Sequence, residues 1–255
     1  MQNQIRFQRW ILTLGGRHDW AESETTDNRT GTTSKSRDSA FTGRLGLGYA
    51  FDPTEGEQFE AGVKYAVPGH NAFLTLAVFE LTRRNVLTSD PVNAGFRVQT
   101  GEIRSRGGEL EGVASLESGW DLVASHTYLD QEITESNDND LGKRPRAIPR
   151  QTASLWASYG FEAGWLHGTR IGGGVRYVGR SEGDALNTFH VPSYTLFDAS
   201  LANDMSVLGR QFTNWHVAIN AANLADKTYV ASCTFATSCY YGIGRSVIAR
   251  LRYQW

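Results

Sequence analysis

The chain has 255 residues, with 25 Lys and Arg against 27 Asp and Glu, for a net charge of −2. That balance excludes a polybasic partner for nucleic acid or a membrane surface, and no apolar run approaches the roughly 18–20 residues of a membrane helix. The mean hydropathy of −0.39 resembles that of a soluble protein, but 27 Gly, 12 Phe, 10 Tyr and 7 Trp favour closely packed β-structure.

In chain order, the recurrent signal is a period of two. Trp10, Leu12 and Leu14 alternate with Ile11, Thr13 and Gly15. Phe41, Leu45, Leu47, Tyr49 and Phe51 alternate with Thr42, Arg44, Gly46 and Gly48. Phe59, Ala61, Val63 and Tyr65 alternate with Glu60, Gly62 and Lys64. Segments 72–82 and 107–129 also read as strands, with less cleanly separated faces. Ala153 to Phe161, Val175 to Tyr177, Thr195 to Leu201 and Trp215 to Ala221 each carry one apolar face, although Trp156 sits on the polar side. The last strand sets Val247, Ala249, Leu251, Tyr253 and Trp255 against Ser246, Ile248, Arg250, Arg252 and Gln254. Alternation of this kind places each set on its own face of a strand. The pattern predicts roughly eleven strands.

The connections alternate in length. Short turns fall at 68–71, 117–119, 162–164 and 206–211; long polar loops fall at 21–40, 85–97, 134–150, 180–192 and 227–244. Short turns on one side and long loops on the other, with aromatics at strand ends, fit an outer-membrane barrel. A soluble barrel or sandwich is the alternative, and it has less reason to end on an aromatic, because termini tend to be frayed and polar. The N-terminus lacks the basic and apolar regions of a signal peptide, so the expectation is a segment of a longer protein. Cys233 and Cys239 suggest one local disulfide and an oxidising compartment; two free thiols in a loop are the alternative.

Several stretches together resemble the C-terminal barrel portion of TonB-dependent ferric siderophore receptors of the ferrichrome and hydroxamate type. They are ILTLGGRHDW (11–20), GEQFEAGVKY (56–65), FELTRRNVLTSDP (79–91), QTGEIRSRGGELEG (99–112), GGGVRYVGRS (172–181), VPSYTLFDAS (191–200), NAANLADKTYVASC (220–233) and CYYGIGRSVIARLRYQW (239–255). The resemblance implies an all-β, antiparallel transmembrane barrel of the outer-membrane type. Residues 1–255 would form a partial barrel without the plug domain. It also implies a ferric siderophore as ligand, outer-membrane lipid and the barrel-assembly machinery as partners, and TonB only through an N-terminal region that is missing here. Iron would enter only as part of the ligand. A small stand-alone outer-membrane pore or structural barrel is the second reading.

Such receptors carry an extra ascending strand and a long loop where Phe51-Asp52-Pro53-Thr54-Glu55-Gly56 joins two strands directly. Counting strand directions back from Trp255, both 41–51 and 57–66 descend, and a parallel pair needs a long crossover. Either one strand is missing near 51–57 or the N-terminal fifty residues sit differently, and an open or irregularly closed sheet is expected around 41–66.

The ligand candidates lie between the cysteines and just beyond them: Phe235, Tyr240 and Tyr241. Aromatic rings suit a hydroxamate siderophore, whose surface mixes methylenes with carbonyl oxygens. The resemblance implies an aromatic beside the first cysteine; here Thr234 takes that place and Phe235 follows it. Packing of the loop is the bland alternative for all three. Tyr253 and Trp255 are read as the terminal assembly signal. Glu109 and Glu111 are expected to line a polar lumen and pair with a residue such as Arg176. Asn220, Asn223, Leu224 and Asp226 read as a turn signature. The six His residues show no metal-ligand spacing, no nucleophile–base pair is present, and Gly172-Gly173-Gly174 reads as close strand packing with no helix following it. No enzyme, cofactor, metal site or nucleic-acid partner is expected.

Overall fold

The structure is a computed structural model that describes residues 2–27 and 32–255. The chain divides into two compact units between Pro53 and Thr54. The first is a three-stranded antiparallel sheet of β1 (Gln2–Phe7), β2 (Trp10–Asp27) and β3 (Thr32–Tyr49). A tight turn with Gln8 at φ 52° joins β1 to β2. The β2–β3 ladder is unbroken from Trp10↔Tyr49 to Asp27↔Thr32, setting Leu12 opposite Leu47 and Leu14 opposite Leu45. Most of segment 21–40, read from the sequence as a loop, is therefore a tall hairpin. Cross-strand Arg37–Glu22 (3.0 Å) and Lys35–Glu24 (3.2 Å) pairs lie on it. Where neither face meets lipid, periodicity disappears while backbone pairing continues.

The second unit contains β4 (Glu55–Ala66), β5 (Asn71–Ser89), β6 (Arg97–Ser115), β7 (Trp120–Glu135), β8 (Gln151–Gly160), β9 (Thr169–Val178), β10 (Ser181–Glu182), β11 (His190–Val191), β12 (Tyr194–Asp204), β13 (Trp215–Ala222), β14 (Val230–Phe235), β15 (Ser238–Tyr241) and β16 (Ser246–Tyr253). Nine of them form one sheet in the order β16-β13-β12-β9-β8-β7-β6-β5-β4, while β10-β11 and β14-β15 are separate hairpins in the long connections. Every pairing is antiparallel. Counting the long sheets of both units gives one strand more than the sequence pattern showed; the addition is β1, whose six residues carry no clean alternation.

The registers place Phe59, Val63, Leu76, Leu155, Val175, Phe197, Leu201, Ile219 and Leu251 on one common face. Phe59 is 69% exposed and Leu251 61%. Among the described residues the buried apolar side chains are few (Ile133, Val191, Leu196 and Cys233). A water-soluble sheet hides its apolar face, because burying a large apolar side chain is worth about 1.5–3 kcal/mol. Here that face is outermost, as lipid requires. At the tight-turn end it ends in aromatic rows. Trp120 packs near Tyr159 (5.1 Å between centroids), Tyr159 near Phe161 (4.8 Å), and Trp215 near Tyr253 (5.0 Å).

The opposite face is polar, and Trp156 lies on it over the glycines of the neighbouring strand. A Cβ on Gly172 would come within 2.7 Å of the indole and 2.6 Å of the Ser200 hydroxyl, and one on Gly174 would overlap the indole outright. The glycine run thus makes room for a bulky ring on the polar side. Arg176 on this face pairs with Asp198 (Nε to Oδ2, 2.5 Å; Nη2 to Oδ1, 3.0 Å), not with Glu109 or Glu111 as the sequence suggested. The register explains this: Arg176 stands opposite Leu196, two residues from Asp198 and on the same face, whereas β8 and β7 separate β9 from β6.

Among the described residues no strand pairs with the outer edge of β4, and β4 is not paired with β16 or β3. The nine-stranded sheet is open at its β4 edge, within the 41–66 region where the direction count expected an opening.

Candidate functional site

The long connections of the second unit build a platform at one end of the sheet. Its base is the turn after β13. Asn223, 2% exposed, adopts φ 51°, a left-handed conformation that Asn tolerates better than most residues. Its side chain donates to the carbonyls of Lys227 (2.9 Å) and Ile243 (3.2 Å) and accepts from the Lys227 amide (2.9 Å). Its own amide donates to Asp198 Oδ1 (2.9 Å). Asp226, at φ 49°, accepts from the Arg245 amide (2.7 Å). One short polar stretch therefore holds both ends of the 227–245 connection.

That connection folds into the β14–β15 hairpin. Cys233 stands opposite Cys239, and the two form a disulfide with a Cα–Cα distance of 4.0 Å. Arg146 reaches across from the 136–150 loop and donates to the Thr234 carbonyl (2.9 Å). The same loop is fastened to the β10–β11 connection. The Arg144 amide donates to Asn187 Oδ1 (2.9 Å), Asn187 Nδ2 donates to the Arg144 carbonyl (3.0 Å), and the Ala147 amide donates to the Glu182 carbonyl (2.9 Å). The guanidinium of Arg144 pairs with Asp130 and donates to the Leu129 carbonyl (2.9 Å). Asp184 accepts from the Thr188 hydroxyl and amide, and these bonds hold its carboxyl below the usual 3.8. Sequence reading missed this loop-to-loop lacing. A side chain bonded to a distant backbone leaves no periodic signature.

Phe235, Tyr240 and Tyr241 are 55%, 60% and 74% exposed. As chain neighbours on β15, Tyr240 and Tyr241 point to opposite faces. Tyr241 lines a cleft of about 270 Å³ with Pro192, Tyr194, Lys227, Tyr229 and Val230; Phe235 and Tyr240 are not among its lining residues. The Tyr194 and Tyr229 rings lie 4.2 Å apart, and Tyr229 packs so tightly on Gly242 that a Cβ there would overlap its ring. Three tyrosines and one lysine thus line the cleft, residue types suited to a ligand of mixed apolar and acceptor character.

At the opposite end of the polar face, a depression of about 320 Å³ is lined by Arg170, Arg250, Arg252, His216 and Asp204 among others. Trp255 itself is fully exposed, with its ring 6.5 Å from Tyr253.

An all-antiparallel sheet with an outward apolar face, aromatic rows and laced loops at one end defines an outer-membrane β-barrel wall. Its family is narrower than that. The family model described as TonB dependent receptor-like, beta-barrel, matches residues 1–54 and 50–224, so the chain belongs to the TonB-dependent receptor β-barrel family of the Gram-negative outer membrane. It is 38% identical to the ferrichrome outer membrane transporter/phage receptor of Escherichia coli (strain K12) over 282 aligned positions, covering 100% of this chain and 37% of the relative. It is 34% identical to the ferrioxamine B receptor of Salmonella typhimurium (strain SL1344), covering 97% of this chain and 39% of the relative. The solved siderophore receptor PiuA of Acinetobacter baumannii shares the fold, with a TM-score of 0.66 at 24% identity over 96% of this chain and 41% of that one. The chain thus spans well under half the length of these relatives.

Proposed function

We propose that this chain forms the C-terminal wall and part of the outer mouth of a receptor that takes up ferric siderophores of the hydroxamate class. The observation that carries the reading is the whole-chain similarity to receptors named for ferrichrome and ferrioxamine. The aromatic cleft beside the disulfide hairpin supports it. Tyr241 would contact the ligand from the cleft, with Phe235 and Tyr240 meeting it from the hairpin surface. Aromatic contact and hydrogen bonds can recognise the organic shell without reaching the iron. Iron is cargo, and no resident cofactor or catalytic step is required. Energy would come from TonB through a segment outside this chain, and Tyr253 and Trp255 would be read by the barrel-assembly machinery.

The test is a chimera in which these 255 residues replace their counterpart in the Escherichia coli ferrichrome transporter. Cells lacking their own receptor are then assayed for uptake of radioactive iron. The expected result is TonB-dependent uptake from ferric hydroxamates, reduced at least several-fold by Tyr241→Ala. A surface-exposed chimera that takes up ferric catecholates and no hydroxamate would overturn the reading.

A further inference from the structure

Strand register carries the inner, polar face of the second unit up into the mouth. Thr152, Val178 and Tyr194 stand in one row across β8, β9 and β12. They share a face with Trp156, Gly174 and Asp198, four residues further along each strand, because alternate residues of a strand point the same way. The same registers continue past the strand ends. The Arg150 amide donates to the Arg180 carbonyl (3.4 Å), and the Arg150 carbonyl accepts from the Leu129 amide (2.8 Å). Ser181 pairs with Val191 in the register by which Val178 pairs with Tyr194, which sets Arg180 opposite Pro192. Arg150 and Arg180 thus extend the inner face two residues beyond Thr152 and Val178. Pro192 and Tyr194 line the tyrosine cleft, so the two arginines stand beside it, one and two strands away.

Neither arginine has a counter-charge. Among the described residues, neither side chain forms an ion pair or a hydrogen bond. Arg150 is half-buried, and its Nε is buried without an acceptor. The carboxylates nearby are engaged elsewhere. Asp198 pairs with Arg176 (2.5 Å), Asp130 with Arg144, and Glu182 with His190 (2.6 Å). Asp226 accepts from the Arg245 amide (2.7 Å), and Asp184 from the Thr188 amide (2.8 Å). A guanidinium withdrawn from water needs a paired acceptor, and a carboxylate matches its parallel N–H groups.

We infer that Arg150 and Arg180 form an anion site on the inner wall of the mouth, and that the ferric hydroxamate taken up here carries a carboxylate which this pair receives. The inference rests on the hydroxamate reading of the cleft. Tyr194, Tyr229 and Tyr241 meet the apolar and carbonyl surface of the complex, and the carboxylate reaches the two guanidiniums beside them. Lys227 adds a third positive charge in the cleft. A ligand whose free arm ends in an ammonium group meets like charge and is disfavoured.

The experiment uses the chimera with the Escherichia coli ferrichrome transporter. Two ferric trihydroxamates labelled with radioactive iron are compared, identical except that one arm ends in a carboxylate or in a neutral amide. Binding is measured on cells whose membrane potential is collapsed, which separates binding from transport. The carboxylate form should bind about tenfold more tightly, as charge-assisted hydrogen bonds are worth about 1.5 kcal/mol or more. Arg180→Gln should cut that preference at least about threefold, and Arg150→Gln combined with Arg180→Gln should bring it to about one, by loss of the charge-assisted bonds. Arg150→Lys combined with Arg180→Lys keeps the charge without the fork and should retain part of the preference. Where the double Gln variant does not reach the cell surface, Arg180→Gln decides alone, because Arg180 is exposed. Equal binding of the two complexes by the unmodified chimera overturns the anion site and leaves the hydroxamate reading standing. A preference that survives both Gln substitutions also overturns it. Binding of neither complex by a surface-exposed chimera overturns both readings.

Discussion

Replacing Asn223 tests how the mouth of the barrel wall is held. Its side chain makes three hydrogen bonds to backbone groups of Lys227 and Ile243 from a buried position. Each is worth about 1 kcal/mol net, and more where the abandoned group stays buried, so removal should cost the 227–245 connection about 3 kcal/mol. Asn223→Ala adds roughly 1 kcal/mol because alanine resists the left-handed backbone. Asn223→Gly loses the bonds without that strain. The expected order of local stability is wild type, then Gly, then Ala. At about 3 kcal/mol, amides of 228–244 should exchange on the order of a hundredfold faster in Asn223→Gly. Amides of β8 and β9 should be unaffected, since their ladder does not pass through this turn. Exchange followed by mass spectrometry in lipid vesicles reads both regions at once. If Asn223→Gly leaves the 228–244 amides at wild-type rates, the side chain is not what anchors the loop.

Three more expectations follow from particular contacts. Gly174→Ala must displace the Trp156 indole, at a cost of about 1–3 kcal/mol, and combining it with Trp156→Ala should recover most of that loss in urea titrations; additive losses would mean the two residues do not meet. Replacing Cys233 and Cys239 by Ser removes a closed loop with a sequence separation of 6, worth about 2 kcal/mol on chain-entropy grounds, and protease should then nick 234–238 faster; unchanged cleavage would show that Arg146 and the ladder suffice. Because Asp184 is held below 3.8 in the fold, the loop's stabilisation is complete above the unfolded value and is lost as pH falls through the lower folded one. The Thr188 amide resonance should therefore titrate with a midpoint below 3.8, vanish in Asp184→Asn, and contradict the assignment if its midpoint lies at or above 3.8.

Legibility in the sequence followed the solvent. Where one face meets lipid and the other water, the period of two is enforced residue by residue, and the strands from Phe59 to Leu251 could be read directly. Beyond the lipid both faces are wet, so β2 and β3 continue through 21–27 and 32–40 by backbone pairing that the side chains do not report. Trp156 broke the alternation, and its explanation lay on the next strand in Gly172 and Gly174, a correlation that a period within one strand cannot carry. The Arg176 partner was misjudged for the same reason. Charge type suggests a carboxylate, but only strand order tells which one is adjacent, and Asp198 is on the neighbouring strand while Glu109 is three strands away. Asn223 and Asp226 were visible because a turn's needs are local.

The laced mouth and the free edge occupy different parts of the sheet, and this separates what each can do. The contacts that lace the loops to one another, from Asp130–Arg144 to Asn223–Ile243, come from residues in or after β7, while Asn137 and Asp138 tie the 136–150 loop back to Ser89 on β5 and to Thr100 and Arg97 on β6. The unpaired edge is β4, with β5 and β6 standing between it and β7. A strand paired to the β4 edge should therefore stabilise that edge without rebuilding the cleft around Tyr241. Weakening the cleft, by Asn223→Gly or by removing the disulfide, should leave β4 exchange unchanged. Coupling between the two would run through the β5–β6 and β6–β7 ladders, which are held along most of their length by backbone bonds in continuous register, or through the few bonds of Asn137 and Asp138 to the loop end of β5 and β6. Such a wall transmits loss of an edge neighbour poorly.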